Sequence, residues 1–326
     1  MLQVHSGESC PKNIFLQERR QQRMRYKSRV NALIRQIIYY RQAYLLMLPF
    51  LVLFSVFIIW PVILSLVMSF TNYNLFQKPE FVGFYNYFKL FFKDDIFLLA
   101  FQNTLKFALI TGPIGYLMCF FFAWVINELH PKVRSVMTLI FYAPSIAGNV
   151  FVIWLVIFDG DMYGYLNSLL TSFGIIDGPI QWLSDPKYMM STVIIVQLWI
   201  SLGTSFLTLR AGFNTVDTQY YEAAAIDGIR NRWQELWYVT LPMMQPHLAL
   251  SAVLSVTAAF ASDRVATVMT GFPSTNYATH MLIHHLQDYG LIRHERGYAA
   301  AIATVIFLLT VFFNYLFQRF LRRTGR

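Results

Sequence analysis

Six runs without a single Asp, Glu, Lys or Arg constrain this chain more than any other feature. They are bounded by Arg41 and Lys78, Lys106 and Glu128, Arg134 and Asp159, Lys187 and Arg210, Glu235 and Asp263, and Arg296 and Arg319. Each is long enough to cross the roughly 30 Å hydrocarbon layer of a bilayer as a helix. Backbone N–H and C=O groups in lipid must be satisfied within the segment, which excludes open strands. The expectation is therefore an all-α polytopic membrane protein with six transmembrane helices over residues 43–321. The first run is longer than one crossing needs, and Thr71 to Gln77 fall outside the layer. Pro49, Pro61, Gly112, Pro113 and Pro144 lie in or at the ends of spans, where neighbouring helices can satisfy the freed backbone groups.

The charge is as informative as its absence. Only 13% of the 326 residues are charged, about half the usual share of a soluble domain. The 30 Phe and 19 Tyr fit lipid-facing and interfacial positions. Residues 1–42 form a basic segment, and 322–326 a basic tail. Eighteen of the 26 Lys and Arg fall in 1–42, 128–134, 210–242 and the C-terminus. An even number of spans puts these segments on one side, and the positive-inside rule makes that side the cytoplasm. A net charge of +9 could serve nucleic acid, but basic residues beside a span are better read as a topology signal that also meets anionic lipid. No nucleic-acid partner is expected. Cys10 and Cys119 lie in a basic terminus and an apolar run, so no disulfide framework is implied.

Between the fourth and fifth runs sits a polar island, Glu222-Ala223-Ala224-Ala225-Ile226-Asp227-Gly228, followed by Leu241-Pro242. Glu and Ala favour a helix, here expected over about 218–232, and Gly ends it. Glu222 near the helix start would be favoured by the helix dipole. Three small side chains in a row offer a flat surface to another protein. The plain alternative is a solvated turn between two spans.

This island resembles the cytoplasmic coupling motif of binding-protein-dependent ABC importer permeases: Glu-Ala-Ala, a Gly, then Ile-x-Leu-Pro, here Val239-Thr240-Leu241-Pro242. Ten residues separate Gly228 from Val239 where the pattern has nine, so the turn at Ile229 to Arg232 departs from it. Pro61, Ser69-Phe70-Thr71, Phe81-Val82-Gly83-Phe84-Tyr85-Asn86-Tyr87, Asn103-Thr104, Thr270-Gly271-Phe272-Pro273 and Gly297-Tyr298-Ala299 extend the resemblance across residues 42–321. The subgroup is the maltose, lactose and glycerol-phosphate type, and within it the chain looks like a permease of importers for alginate and related acidic oligosaccharides.

The resemblance implies a six-helix type I permease and names its partners. They are a homologous second permease, an ATPase dimer, a solute-binding protein outside, and the lipid of the inner membrane. ATP and Mg would be bound by the ATPase, with no cofactor in this chain. Glu222, Ala223, Ala224, Asp227, Gly228, Leu241 and Pro242 would meet the ATPase. The sugar contacts would fall on Trp199, Ile200, Ser201, Thr204, Ser255, Ala258, Ala259 and Ser262. Arg264 could hold a sugar carboxylate bidentately at the outer mouth, or pair with Asp263. For any one of these polar residues, helix–helix packing is the competing role.

Other chemistry is weaker. No Gly-Lys dipeptide exists, hence no P-loop. Asp159-Gly160-Asp161 begins like a calcium loop, but Leu170 occupies its twelfth position. His280, His284 and His285 lack a nearby Cys or suitably spaced acid, so ordinary loop histidines are expected rather than a metal site. Trp154 and Phe158 read as packing or interfacial anchors. A secondary transporter or channel would want an acid buried mid-span, and a membrane enzyme a nucleophile–base cluster. The six runs hold neither.

Overall fold

The computed structural model describes residues 39–324 apart from Asn149, and it places them almost wholly in helices. The basic segment, up to residue 38, lies outside the described residues. The only pairing of extended backbone among the described residues is an isolated bridge between Thr71 and Phe81.

The first apolar run forms α1, Arg41–Met68. Its residues up to Leu64 belong to a separate unit of the chain, and Leu46, Phe57 and Trp60 are among their many exposed apolar side chains. An all-round apolar helix of this kind is suited to lipid. The rest of the chain forms the second unit. After a short α2, Tyr85–Phe92, it is built around α3, Asp95–Asn127. This helix starts twelve residues before the charge-free run does. Asp94 caps it, and Lys106 is carried on an exposed face, so the charge that bounds the run does not bound the helix.

The third run divides. It gives α4, Pro131–Ile146, and α5, Val152–Ile157, with a break where Pro144 has removed a backbone donor and Ala147 leaves helical geometry. Among the described residues five helical segments are thus long and apolar enough to cross a membrane, and the third run contributes two shorter pieces. Next come α6, Tyr165–Ser172, α7, Pro186–Ile200, and α8, Thr204–Thr215. The polar island forms α9, Thr218–Ile226, followed by α10, Arg232–Glu235. A π-turn at Leu236–Thr240 leads into α11, Gln245–Ala261, then α12, Arg264–Thr270, α13, Leu282–Gln287, and α14, Arg296–Thr324.

Lipid tails are as apolar as Leu, so helices in a membrane associate through close packing and polar contacts rather than the hydrophobic effect. The core shows both. Cys119, Ala123 and Ile126 of α3 pack with Phe206 and Leu209 of α8 and with Met244, Leu248 and Ala252 around α11. A Cβ on Gly212 would lie 2.8 Å from the His247 Cβ, so α8 and α11 approach only because that residue is Gly. At the opposite end, the Asn103 amide donates to the Tyr277 and His280 carbonyls at 3.1 and 3.0 Å. Thr104 accepts the Leu282 N–H at 2.8 Å. Asn103 and Thr104, which belong to the motifs of the resemblance, thus staple α3 to the loop before α13.

Candidate functional site

Three regions carry polar chemistry. The first lies between spans. Helices α7 and α8 are one apolar segment interrupted at Ser201-Leu202-Gly203, where Ser201 turns its hydroxyl onto the Leu198 carbonyl and the Cys119 thiol meets the Ser201 carbonyl at 3.4 Å. Irregular backbone at membrane depth is tolerated only where protein buries it or it lines a cavity. A cavity of about 260 Å³ opens at this break. Ile200, Ser201, Thr204, Ser255, Ala258 and Ala259 line it, six of the nine path residues expected from sequence. Gly115 permits the approach of α3, since a Cβ there would lie 3.1 Å from the Ser201 hydroxyl.

The other three expected path residues stand off the cavity. Ser262 donates to Gln197 Oε1 at 2.9 Å, and Gln197 is a lining residue. Trp199 packs edge-on against Trp154 in an aromatic cluster. Arg264 sits over the Phe151 ring, 5.7 Å from its centroid. The sequence reading missed Thr111 and Gly115 of α3 and Tyr142 and Ser145 of α4. The small-residue stretch Thr111-Gly112-Pro113 was the available signal. Ser205 and Ser255 share a hydrogen bond of 2.9 Å across α8 and α11. The lining carries hydroxyls and one amide but no ionic side chain.

The second region is the Glu222 island. Asp217 caps α9 by accepting the Gln219 N–H at 3.1 Å. The helix closes in a Schellman motif: Gly228 at φ +93° donates to the Ala225 carbonyl, and Ile229 to that of Ala224. It therefore ends at Ile226, short of the expected 232. Glu222 is its fifth residue, outside the first turn, and Asp217 rather than Glu222 holds the positive end of the dipole. In the longer turn Asn231 caps α10 through the Trp233 N–H, at 2.9 Å. Glu222, Ala223, Asp227 and Gly228 are exposed, and Ala224 is buried against the core. Tyr221 and Thr240 share a 2.9 Å hydrogen bond that ties α9 to Val239-Thr240-Leu241-Pro242. Leu241 is half-buried and Pro242 exposed.

The third region is at the other end of α3. Asp94 is its hub. One carboxylate oxygen accepts the Phe97 N–H at 2.9 Å, and the other accepts from Tyr298 at 2.7 Å and faces His285 Nε2 at 3.1 Å. Burial raises the Asp94 pKa, but the bonds from His285, Phe97 and Tyr298 outweigh it and hold the carboxyl well below the usual range. His280 is pushed down to about 3 by burial, with His284 and His285 adding repulsion. His284 meets Thr267 at 3.0 Å, and burial lowers its pKa too. These are buried, hydrogen-bonded histidines, not the ordinary loop residues expected, because Asp94 arrives from 191 residues away. The Asp159 turn is likewise organised from within: Asn167 donates to the carbonyls of Asp159, Asp161 and Ile180.

The family profile of binding-protein-dependent transport system inner membrane components matches residues 113–326. The chain is 30% identical to YesP of Bacillus subtilis, named a probable ABC transporter permease protein, over 80% of this chain and 84% of that one. It is 29% identical to a lactose transport system permease protein of Rhizobium radiobacter, over 84% and 91%. Its fold is similar to that in a crystal structure of a bacterial ABC transporter involved in the import of the acidic polysaccharide alginate, with TM-score 0.68, 25% identity, and 88% and 98% of the two chains covered. A second alginate transporter structure, in complex with an alginate pentasaccharide-bound periplasmic protein, gives TM-score 0.69 at 23% identity, covering 90% and 96%.

Proposed function

The chain belongs to the family of binding-protein-dependent transport system inner membrane components, and from that premise we propose that it forms half of the translocation path of an ATP-driven oligosaccharide importer. The helix break at Ser201–Gly203, opening onto an uncharged cavity lined by hydroxyls, carries this reading. A sugar passing through meets weak hydrogen-bonding groups and small side chains, which let it leave as readily as it enters. Hydrolysis of ATP belongs to a partner subunit, as in the related permeases, and this chain is not itself an enzyme.

The substrate is an acidic oligosaccharide of the alginate type. The alginate importer with the same fold supports this, as does Arg264, whose planar guanidinium suits a carboxylate at the outer mouth. The lining of this half of the cavity holds no cation, so sugar carboxylates would be met at the mouth or by the second permease. Both termini and α9 face the cytoplasm, and α9 docks in a cleft of the ATPase with Glu222 toward an Arg. Among the described residues no ion pair is formed by Glu222.

The test is uptake by proteoliposomes holding both permeases, the ATPase and the binding protein, with alginate oligosaccharides and neutral oligosaccharides of matched length. ATP-dependent uptake of the acidic sugar alone is expected. Equal uptake of both would remove the acidic specificity. Uptake by this chain alone under a proton or sodium gradient would remove the importer reading.

A further inference from the structure

We propose that the coupling stretch drives α3 through a second arm, in which Arg232 and Trp233 act on Glu128 and Trp124. This rests on the reading of α9 as the helix that meets the ATPase. The Tyr221–Thr240 bond ties α9 to the segment leading into α11. A different set of contacts leads to α3. Between α9 and the end of α3 lies a cavity of about 440 Å³, lined on one side by Thr218 and Tyr221 and on the other by Trp124, Asn127 and Glu128. Ala224 and Tyr221 of α9 share an apolar cluster with Ala123 and Ile126 of α3, and a charged and an aromatic contact with α3 are added beyond the Gly228 turn. There Arg232 reaches Glu128 at 3.4 Å while also holding Glu235 at 2.9 Å, and the Trp233 ring lies 4.8 Å from that of Trp124.

The end of α3 is built to receive such a pull. Arg134 of α4 donates to the Asn127 and Leu129 carbonyls. Arg210 of α8 donates to the Asn127 side chain at 3.0 Å. Neither arginine has a carboxylate within ion-pair distance among the described residues. Arg210 is 8% exposed and its Nε has no partner. The end of α3 offers Arg134 free carbonyls, which carry partial negative charge at a helix C-terminus, and offers Arg210 the Asn127 side chain, with Asn214 of α8 as its second partner at 3.1 Å. It is thereby fixed to α4 and α8. Thirteen residues separate Glu128 from Gly115 on the path cavity, about 20 Å of continuous helix. A displacement at Glu128 is therefore delivered to the wall against Ser201.

The side chains of the arm are too exposed for a stabilising role: Arg232 is 68% and Glu128 40% exposed, and such pairs contribute little to folding. They are positioning residues. The turn that carries the extra residue of the coupling motif, Ile229 to Arg232, is the one that leads into the helix of Arg232 and Trp233.

The test uses the complete importer in proteoliposomes and reads ATP hydrolysed per sugar imported, together with co-purification of the ATPase. Arg232→Glu and Glu128→Arg should each raise the ratio several-fold with co-purification unchanged, and the double exchange should return it to within about twofold of wild type. Trp233→Ala should act in the same direction. Single variants with the wild-type ratio, a double exchange no better than its worse parent, or loss of the ATPase with Arg232→Glu would each overturn the arm. Glu222→Lys separates the two levels. If it uncouples while Arg232→Glu does not, the arm alone fails; if it too leaves stimulated hydrolysis intact, the coupling role of α9 fails.

Discussion

The two ends of α3 are held in opposite ways. At the Asp94 end, a carboxylate only 9% exposed gathers hydrogen bonds from α3, α13 and α14, and Lys89 adds an ion pair to Glu295 at 3.2 Å and a cation–π contact 4.3 Å from the Tyr298 ring. At the Glu222 end, Arg134 and Arg210 hold Asn127, but Glu222 and Asp227 of α9 are exposed, and the contacts that cross the cavity to Glu128 and Trp124 are single ones. Buried polar networks are costly to break and fix one arrangement. Exposed pairs exchange easily. We read the first end as an anchor and the second as a lever, with the uncharged cavity between them as the part that changes shape.

The largest effect should come from breaking the lever. Gly228→Arg places a side chain at φ +93°, a strain of about 1–3 kcal/mol, and puts bulk and charge on the docking surface. Stimulated ATP hydrolysis should fall by about two orders of magnitude, with the spans still inserted.

Breaking the anchor should read out differently. Asp94→Asn leaves His285 and Tyr298 with a poorer acceptor and should cost about 2 kcal/mol of stability, seen as a lower melting temperature at unchanged ATP per sugar. Filling the cavity comes next. Ser255→Trp should cut uptake by about tenfold while assembly and basal hydrolysis persist. Equal loss of assembly would make Ser255 a packing residue.

The smallest effect is a pH slope confined to the anchor. The buried His280 resists protonation down to about 3, whereas the unfolded chain takes up the proton near about 6.5. Stability is therefore full above about 6.5 and falls as pH drops below it, by up to about 1.4 kcal/mol per unit. Asp94, held low, stays ionised over the same window and adds no slope. His280→Phe should reduce the difference between melts at about pH 7.5 and 5.5, leaving the part that His284, also held low by burial, contributes.

What was legible in the sequence follows the same division. The lever is contiguous: Glu222 to Gly228 and Leu241-Pro242 could be read as a motif, and only the helix end and the role of Glu222 at its dipole needed correction. Six path residues were found through resemblance, because hydroxyl and small residues mark facing helix surfaces. The anchor was not legible. Asp94 belongs to no local motif, and nothing near it in sequence links it to His285 or Tyr298. Charge-free runs also misplaced the start of α3, because a long helix can carry Lys106 on an exposed face, and they hid the break after Pro144.

The most direct test of anchor and lever is ATP hydrolysis stimulated by sugar-loaded binding protein, measured per assembled importer for Glu222→Lys and Asp94→Asn side by side. The account predicts that Glu222→Lys inserts normally but loses the ATPase or its stimulation, and that Asp94→Asn gives fewer assembled complexes of wild-type stimulation. Wild-type association and stimulation in Glu222→Lys would contradict it and leave the Glu222 stretch a solvated turn.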